Sequence, residues 1–126
     1  KLKSFAKDIN KRRKIALFYE KNLSSIKQIK LPPPPNRYPN FDVYQNYEMQ
    51  CLNRDKLKKF LDINGVKTLI QWNGKAVHQI NRLQINTKLK FTDNYFDKCI
   101  MLPMNTSLQK NDLQKVVKLI KKFYSV

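Results

Sequence analysis

Residues 43–72 read VYQNYEMQCLNRDKLKKFLDINGVKTLIQW, and this stretch decides the fold. Its first part, residues 43–52, is rich in aromatic and branched side chains. Within it Tyr47, Met49 and Cys51 alternate with polar residues, and a period of two is typical of a half-buried β-strand. The alternation therefore predicts a strand.

The residues after this strand predict a short helix and a second strand. Asn53 is a candidate N-cap for a helix from about Arg54 to Ile63. One face of this helix is apolar and carries Leu57, Phe60 and Leu61. Asn64 and Gly65 predict its end, because a left-handed residue commonly terminates a helix. The branched residues that follow predict a strand over residues 66–72.

Towards the N-terminus, apolar residues recur at helical spacing, which predicts a long amphipathic helix over residues 2–23. They are Leu2, Phe5, Ala6, Ile9, Ala16, Tyr19 and Leu23. This pattern starts at once after Lys1, without a cap, so we expect the chain to begin within a longer protein. Residues 31–35 contain four consecutive prolines and predict a stiff, extended connector, with a ligand for a small adaptor domain as the alternative.

Towards the C-terminus, residues 73–92 are irregular and polar and predict a long loop with one helical turn at most. Residues 95–102 turn apolar and end at Pro103, which predicts a short helix or a third strand. Apolar residues at helical spacing then predict a last helix. They are Leu113, Val116, Val117, Ile120, Phe123 and Tyr124.

This order of elements predicts an α+β fold, with a small antiparallel or mixed sheet covered by helices. We expect a linking amphipathic helix over residues 1–30, a proline-rich connector over 31–40 and an α+β small domain over 41–126. The chain has 126 residues, 41% of them apolar and 28% charged, which suits one packed domain.

The formal net charge of +17 suggests a nucleic acid or another polyanion as a partner, with the cluster from Lys11 to Lys14 as its contact. However, Lys greatly outnumbers Arg, and bidentate recognition of phosphate favours Arg. A solvated basic surface is therefore the preferred interpretation, and a small basic binding module is the alternative function.

Several classes of site find no support in the sequence. Cys51 and Cys99 lack CxxC spacing and the chain has one His, which argues against a structural zinc site and for reduced, packed thiols. Two glycines exclude the common nucleotide-binding loops. Without a signal-peptide pattern or an apolar run that could span a bilayer, we expect a soluble cytoplasmic protein.

The densest set of polar groups suited to a sugar or a phosphate follows the second predicted strand. It comprises Gln71, Trp72, Asn73, Gly74, Lys75 and His78. Amides hydrogen-bond hydroxyl groups, an indole stacks on a sugar ring, and the cation and the imidazole suit a phosphate or a hydroxyl. The alternative is that Trp72 closes the core and His78 is only solvated, and the residues alone leave both open.

Four segments in register resemble the C-terminal portion of the DegT/DnrJ/EryC1/StrS family of sugar aminotransferases that use pyridoxal phosphate (PLP). They are NKRRKIALFYEKNL at 10–23, LPPPP at 31–35, the stretch at 43–72 and FDKCIMLPMNTSLQKNDLQKVVKLIKKFY at 96–124. In this resemblance Gly65 and Thr68 match a Gly and a Thr of the family. The fold it implies is the small domain of fold-type I aminotransferases.

The segment IQWNGKAVHQ at 70–79 is similar to the branch that aminates keto-deoxy sugars linked to a nucleoside diphosphate. The resemblance implies that Gln71, Trp72 and His78 face the hexose and that Lys75 contacts phosphate. Three departures stand out. Gln71 and Trp72 occupy positions where the wider family has His and Tyr, Asn73 stands where a second Gly is expected, and Gln109 replaces the Ser or Thr that caps the last helix.

The resemblance also implies what these residues lack. The lysine that forms a Schiff base with PLP belongs to the family's large domain, so we expect no transamination by these residues alone. For the complete enzyme it implies PLP as cofactor, a nucleotide-linked sugar as substrate, glutamate as the amino donor and a homodimer. The implied pathway is the synthesis of sugars for cell-surface polysaccharide or lipopolysaccharide, and no metal is expected.

Overall fold

The computed structural model of the chain describes residues 2–35, 41–85 and 87–126. Part of the predicted connector, residues 36–40, lies outside the described residues. Within them there are four α-helices: α1 (Leu2–Leu23), α2 (Arg54–Ile63), α3 (Lys90–Phe96) and α4 (Lys110–Tyr124). The strands there are β1 (Ile29–Lys30), β2 (Tyr47–Cys51) and β3 (Cys99–Leu102). Single turns of 3-10 helix occur at Val77–Gln79 and Asn81–Leu83, and residues 71–74 form a turn that contains left-handed residues.

The described strands form one antiparallel sheet in the order β1-β2-β3. In the register of β2 with β3, Tyr47 pairs with Leu102 and Gln50 pairs with Cys99. The side chains that alternate along β2 are buried on one face, as the sequence predicted. The strand starts at Tyr47 rather than at residue 43, because Tyr44 has a left-handed backbone with φ of 49° and turns the chain. The predicted α+β class and its antiparallel sheet are confirmed.

One buried cluster joins α1, the sheet, α2 and α4. Its fully enclosed members include Tyr19, Leu23, Tyr47, Met49, Leu57, Leu61, Ile100 and Ile120. The ring of Tyr19 lies 5.0 Å from that of Tyr47, and its hydroxyl donates to the carbonyl of Pro103 at 2.8 Å. Because Pro103 directly follows β3, this bond ties the long N-terminal helix to the end of the sheet.

The predicted bounds of the first two helices are confirmed, but the predicted cap of α2 is wrong. Asn53 has a left-handed backbone with φ of 56°, and its side chain makes no capping hydrogen bond. Gly65 is left-handed with φ of 75° and follows the end of α2 as predicted. At the start of α4, the Gln109 side chain likewise makes no capping hydrogen bond. The carboxylate of Asp112 instead accepts the backbone N–H of Gln109 at 2.9 Å.

The strand predicted over residues 66–72 is wrong in extent. Only Leu69 pairs with the sheet there, through two hydrogen bonds with Met101 of 2.8 and 3.3 Å. The chain cannot continue along β3, because Trp72 adopts a left-handed conformation three residues later. Residues 95–102, predicted as a helix or a strand, contain the end of α3 followed by β3.

A largely enclosed arginine side chain contacts two other segments of the chain. The Arg54 side chain, 11% exposed, donates to the carbonyl of Phe96 at 2.6 Å and to the carboxylate of Asp55 at 2.9 Å. A Cβ placed on Gly74 would lie 3.0 Å from the same guanidinium group. Arg54 therefore ties the end of α3 to the start of α2, and its guanidinium lies next to the turn at Gly74.

Both cysteines are free and buried, as predicted. Burial raises the pKa of the Cys51 thiol to about 11, so very little reactive thiolate exists near neutral pH. In the part of the chain that the structure describes, no helix combines the length and the apolar character that crossing a bilayer requires.

We expect Ile120→Ala to lower the free energy of unfolding by about 2–4 kcal/mol, because it leaves a cavity in the core. Ile120 is 0% exposed, whereas Ile63 is 75% exposed, so Ile63→Ala is a matched control with an expected effect below about 0.5 kcal/mol. Urea unfolding followed by circular dichroism measures both. Similar losses in the two variants would contradict the position of Ile120 in the core.

We expect Gly74→Ala to destabilise the chain more than Gly65→Ala. Both glycines are left-handed, with φ of +73° and +75°, so each alanine should cost about 1 kcal/mol in backbone strain. At Gly65 the nearest atom to an added Cβ is the mobile amino group of Lys115, but at Gly74 it is the anchored Arg54 guanidinium. Urea unfolding should therefore show that the free energy of unfolding falls by about 1 kcal/mol more for Gly74→Ala. Equal losses in the two variants would show that the Arg54 side chain moves aside without cost.

Candidate functional site

The turn at residues 71–74 presents an aromatic side chain from a strained backbone. Trp72 and Asn73 are both left-handed, with φ of 53°, and Gly74 follows with φ of 73°. A left-handed conformation costs roughly 1–2 kcal/mol for a residue with a Cβ, and such strain often marks a functional position. Trp72 is 74% exposed, so its indole does not close the core. Of the two interpretations left open by the sequence, the closed core is therefore excluded for Trp72.

His78 lies one turn further along and is fixed by a carboxylate. Its side chain is 8% exposed, and its Nε2 is 2.6 Å from Oδ1 of Asp93 in α3. The neighbouring Gln79 donates its amide Nε2 to the same oxygen at 2.6 Å. The amide oxygen of Gln79 accepts the backbone N–H of Ala76 at 2.9 Å. His78 is thus held in place rather than merely solvated.

His78 also lines a cavity of about 430 Å³. The other lining residues are Ile80, Asn81, Gln84 and Ile85. Asn81 and Gln84 bring amide groups, which can donate to and accept from a hydroxylated ligand. The imidazole, the amides and two aliphatic side chains are a mixture of polar and apolar groups that suits a sugar.

The structure places the predicted site residues at two adjacent turns. Gln71 is half-buried, and Trp72 and Lys75 are exposed on the first turn. Among the described residues, no hydrogen bond or ion pair joins any of these three to His78. The contacts instead bring His78 together with groups that the sequence did not single out.

Sequence reasoning missed Arg54, Gln79 and Asp93. Asp93 lies fifteen residues after His78, across a loop without a regular period, so no spacing signal linked the two. Arg54 looked like an ordinary charged residue at the start of a helix. The one available signal was Gln79, which directly follows the only histidine.

The described residues do not fit the role of a PLP anchor. A Schiff-base lysine has to be desolvated, and no charged side chain is buried in ranges 4–35, 41–85 and 87–126. In the same part of the chain no three His, Cys, Asp or Glu side chains are grouped so that they could hold a metal ion. Among the described residues, the groups that suit a ligand are therefore the hydrogen-bonding and aromatic side chains of the loop.

The basic cluster from Lys11 to Lys14 is half engaged in internal contacts. Arg12 donates to the carbonyls of Tyr44 and Gln45 at 3.0 and 2.6 Å. Arg13 donates to the carbonyls of Pro35 and Asp42, and its guanidinium lies 4.1 Å from the centre of the Phe41 ring. The two arginines bind α1 to the segments on either side of residues 36–40, which leaves Lys11 and Lys14 exposed. This use of the arginines weakens the alternative of a polyanion-binding helix.

Comparisons with known proteins give one family. The sequence profile of the DegT/DnrJ/EryC1/StrS aminotransferase family matches residues 1–121. A search of curated proteins by sequence finds no match.

Solved structures of aminotransferases share the fold. The aminotransferase TlmJ from Streptoalloteichus hindustanus superposes with a TM-score of 0.90 at 21% identity, over 98% of this chain and 34% of that one. DesI, solved in the presence of its TDP-sugar product, superposes with a TM-score of 0.86 at 18% identity, over 98% of this chain and 33% of that one. Helicobacter pylori PseC, an aminotransferase involved in the biosynthesis of pseudoaminic acid, superposes with a TM-score of 0.80 at 16% identity. The match covers 93% of this chain and 33% of that one.

The chain spans about a third of the length of the structures that it matches. Its α+β fold corresponds to their C-terminal part. The family uses PLP, and its profile covers nearly all of these residues. The chain therefore belongs to the DegT/DnrJ/EryC1/StrS aminotransferase family.

Proposed function

We propose that the chain is the C-terminal part of a PLP-dependent aminotransferase that transfers an amino group to a keto-deoxy sugar linked to a nucleoside diphosphate. The observation that carries this proposal is that the exposed Trp72 and the fixed His78 lie on two successive turns of the chain. The family of the chain and the TDP-sugar product named for DesI support it.

In this proposal each group of the site has one task towards the substrate. The indole of Trp72 stacks on the apolar face of the hexose, and the amide of Gln71 hydrogen-bonds a hydroxyl. His78 bonds a second hydroxyl from the wall of its cavity. Lys75, exposed after the turn, attracts the diphosphate as a point charge.

The rest of the reaction belongs to the large domain of the family. PLP, held there, supplies the group that carries nitrogen from donor to sugar, with glutamate as the proposed donor. We propose that the complete enzyme is a cytoplasmic homodimer that makes sugars for cell-surface polysaccharide or lipopolysaccharide. Residues 1–30 would link to the large domain, 31–40 would be the connector and 41–126 the small domain, inactive alone.

We expect His78→Ala to lower kcat/KM for the nucleotide-linked sugar by roughly 5- to 100-fold, which corresponds to the loss of one or two buried hydrogen bonds. The measurement uses the enzyme assembled from these residues and the large domain of a family member, with glutamate as donor. PLP content, read from its absorbance, should not change. Equal losses of PLP content and of sugar turnover would contradict a role of His78 at the sugar.

We expect Trp72→Ala to raise KM for the sugar by about 5- to 100-fold, because stacking on the hexose is lost. Phe91→Ala is the matched control, since Phe91 is an aromatic residue that is 91% exposed and has no proposed contact with the substrate. The half-reaction with glutamate should be unchanged in both variants. An equal effect of the two substitutions would reject stacking by Trp72.

A further inference from the structure

A single oxygen of Asp93 receives two donors. Nε2 of His78 and Nε2 of Gln79 both lie 2.6 Å from Oδ1 of Asp93. The orientation of the Gln79 amide is determined at its other end, because its oxygen faces the N–H of Ala76 at 2.9 Å. A carboxylate only accepts, so the imidazole nitrogen that faces it has to carry a proton.

The other ring nitrogen of His78 has no hydrogen-bond partner among the described residues. In residues 2–35, 41–85 and 87–126 no hydrogen bond involves Nδ1 of His78. His78 lines the cavity with Asn81 and Gln84, so a ligand in this cavity would lie next to this residue. A histidine with a purely structural role is expected to have both ring nitrogens satisfied by the protein.

We propose that Asp93 is a positioning residue that holds His78 as the Nε2–H tautomer and so presents the lone pair of Nδ1 to a sugar hydroxyl. The part that concerns the sugar rests on the proposed function, whereas the tautomer does not. Gln79 supports Asp93 by filling the same oxygen from a second direction. His78 then acts as an acceptor towards a hydroxyl donor of the substrate.

The position of the carboxylate is set by the fold rather than by the loop. Asp93 lies in the first turn of α3, and the carbonyl of Phe96 at the end of α3 is held by Arg54. The Asp93 side chain is 32% exposed and that of His78 is 8% exposed, so water competes little at the imidazole. A carboxylate on a helix anchored in this way can orient a side chain that comes from an irregular loop.

The test uses the only imidazole of the chain. In a ¹⁵N-labelled sample at a pH where the ring carries a single proton, two-bond ¹H–¹⁵N correlations identify the protonated ring nitrogen. We expect the proton on Nε2, with a direct N–H signal shifted downfield by the short bond and slow to exchange. In Asp93→Ala that signal should disappear through exchange, while the amide spectrum shows a folded chain.

Asp97→Ala is the matched control, because it removes one carboxylate from the C-terminal end of the same helix. The Asp97→Ala variant should keep the Nε2–H signal. The Gln79→Ala variant should keep the same tautomer, but its Nε2 proton should exchange faster with water. A proton on Nδ1 in the unaltered chain would overturn the proposal. So would an Nε2–H signal that survives in folded Asp93→Ala.

The assembled enzyme gives the second readout. Asp93→Ala should lower kcat/KM for the sugar by on the order of 10-fold, with little further loss when it is added to His78→Ala, because both act through one hydrogen bond. Fully additive losses would overturn the positioning role. If the Nε2–H signal is present but the assembled enzyme aminates no nucleotide-linked sugar, the proposed function is rejected. The assignment of the Nε2–H tautomer would still hold in that case.

Discussion

The antiparallel ladder between β2 and β3 positions the two segments that lead into the candidate site. Arg54 follows β2 by three residues, Phe96 precedes β3 by three, and the bond between them crosses where the two strands are in register. Leu69, at the outer edge of β3, brings the chain towards the turn at Trp72. A slip of one residue in this ladder would exchange the two faces of β2 and separate Arg54 from Phe96.

The parts of the fold that follow a strong period were predictable. The stripe of α1, the face of α2 and the alternation along β2 each bury one side of an element in the same core, so their periods are visible in the sequence. The elements missed depend on tertiary contacts. β1 has two residues and forms only because β2 lies beside it, and Leu69 pairs with Met101 without any strand around it.

The candidate site was predictable in its residue types but not in its geometry. The exposed indole of Trp72 depends on a left-handed backbone, and a tryptophan gives no sign of that conformation in a sequence. The sequence did not reveal the partner of His78, because Asp93 is distant along the chain and is brought close only by the position of α3. The preference for this loop over the basic helix as the candidate site came from the family resemblance, because the local patterns left both open.

The scarce acidic residues have structural tasks. The chain has nine Asp and Glu residues, and within the part that the structure describes six of them accept hydrogen bonds or form ion pairs with neighbouring groups. These are Asp42, Glu48, Asp55, Asp62, Asp93 and Asp112. At Asp62, hydrogen bonding from Lys58 lowers the pKa of the carboxyl group. These carboxylates contact helix ends and neighbouring side chains. Most of the positive charge is carried by lysines that face solvent.

The N-terminal half of α1 extends its apolar stripe past the core, where Phe5 is 59% exposed. The C-terminal half of the same helix packs into the core through Tyr19 and Leu23. One residue inserted between Phe5 and Ile15 would turn the two ends relative to each other by about 100° and shift them by about 1.5 Å. The number of residues between the two positions therefore sets the direction in which the exposed ring of Phe5 faces relative to the core.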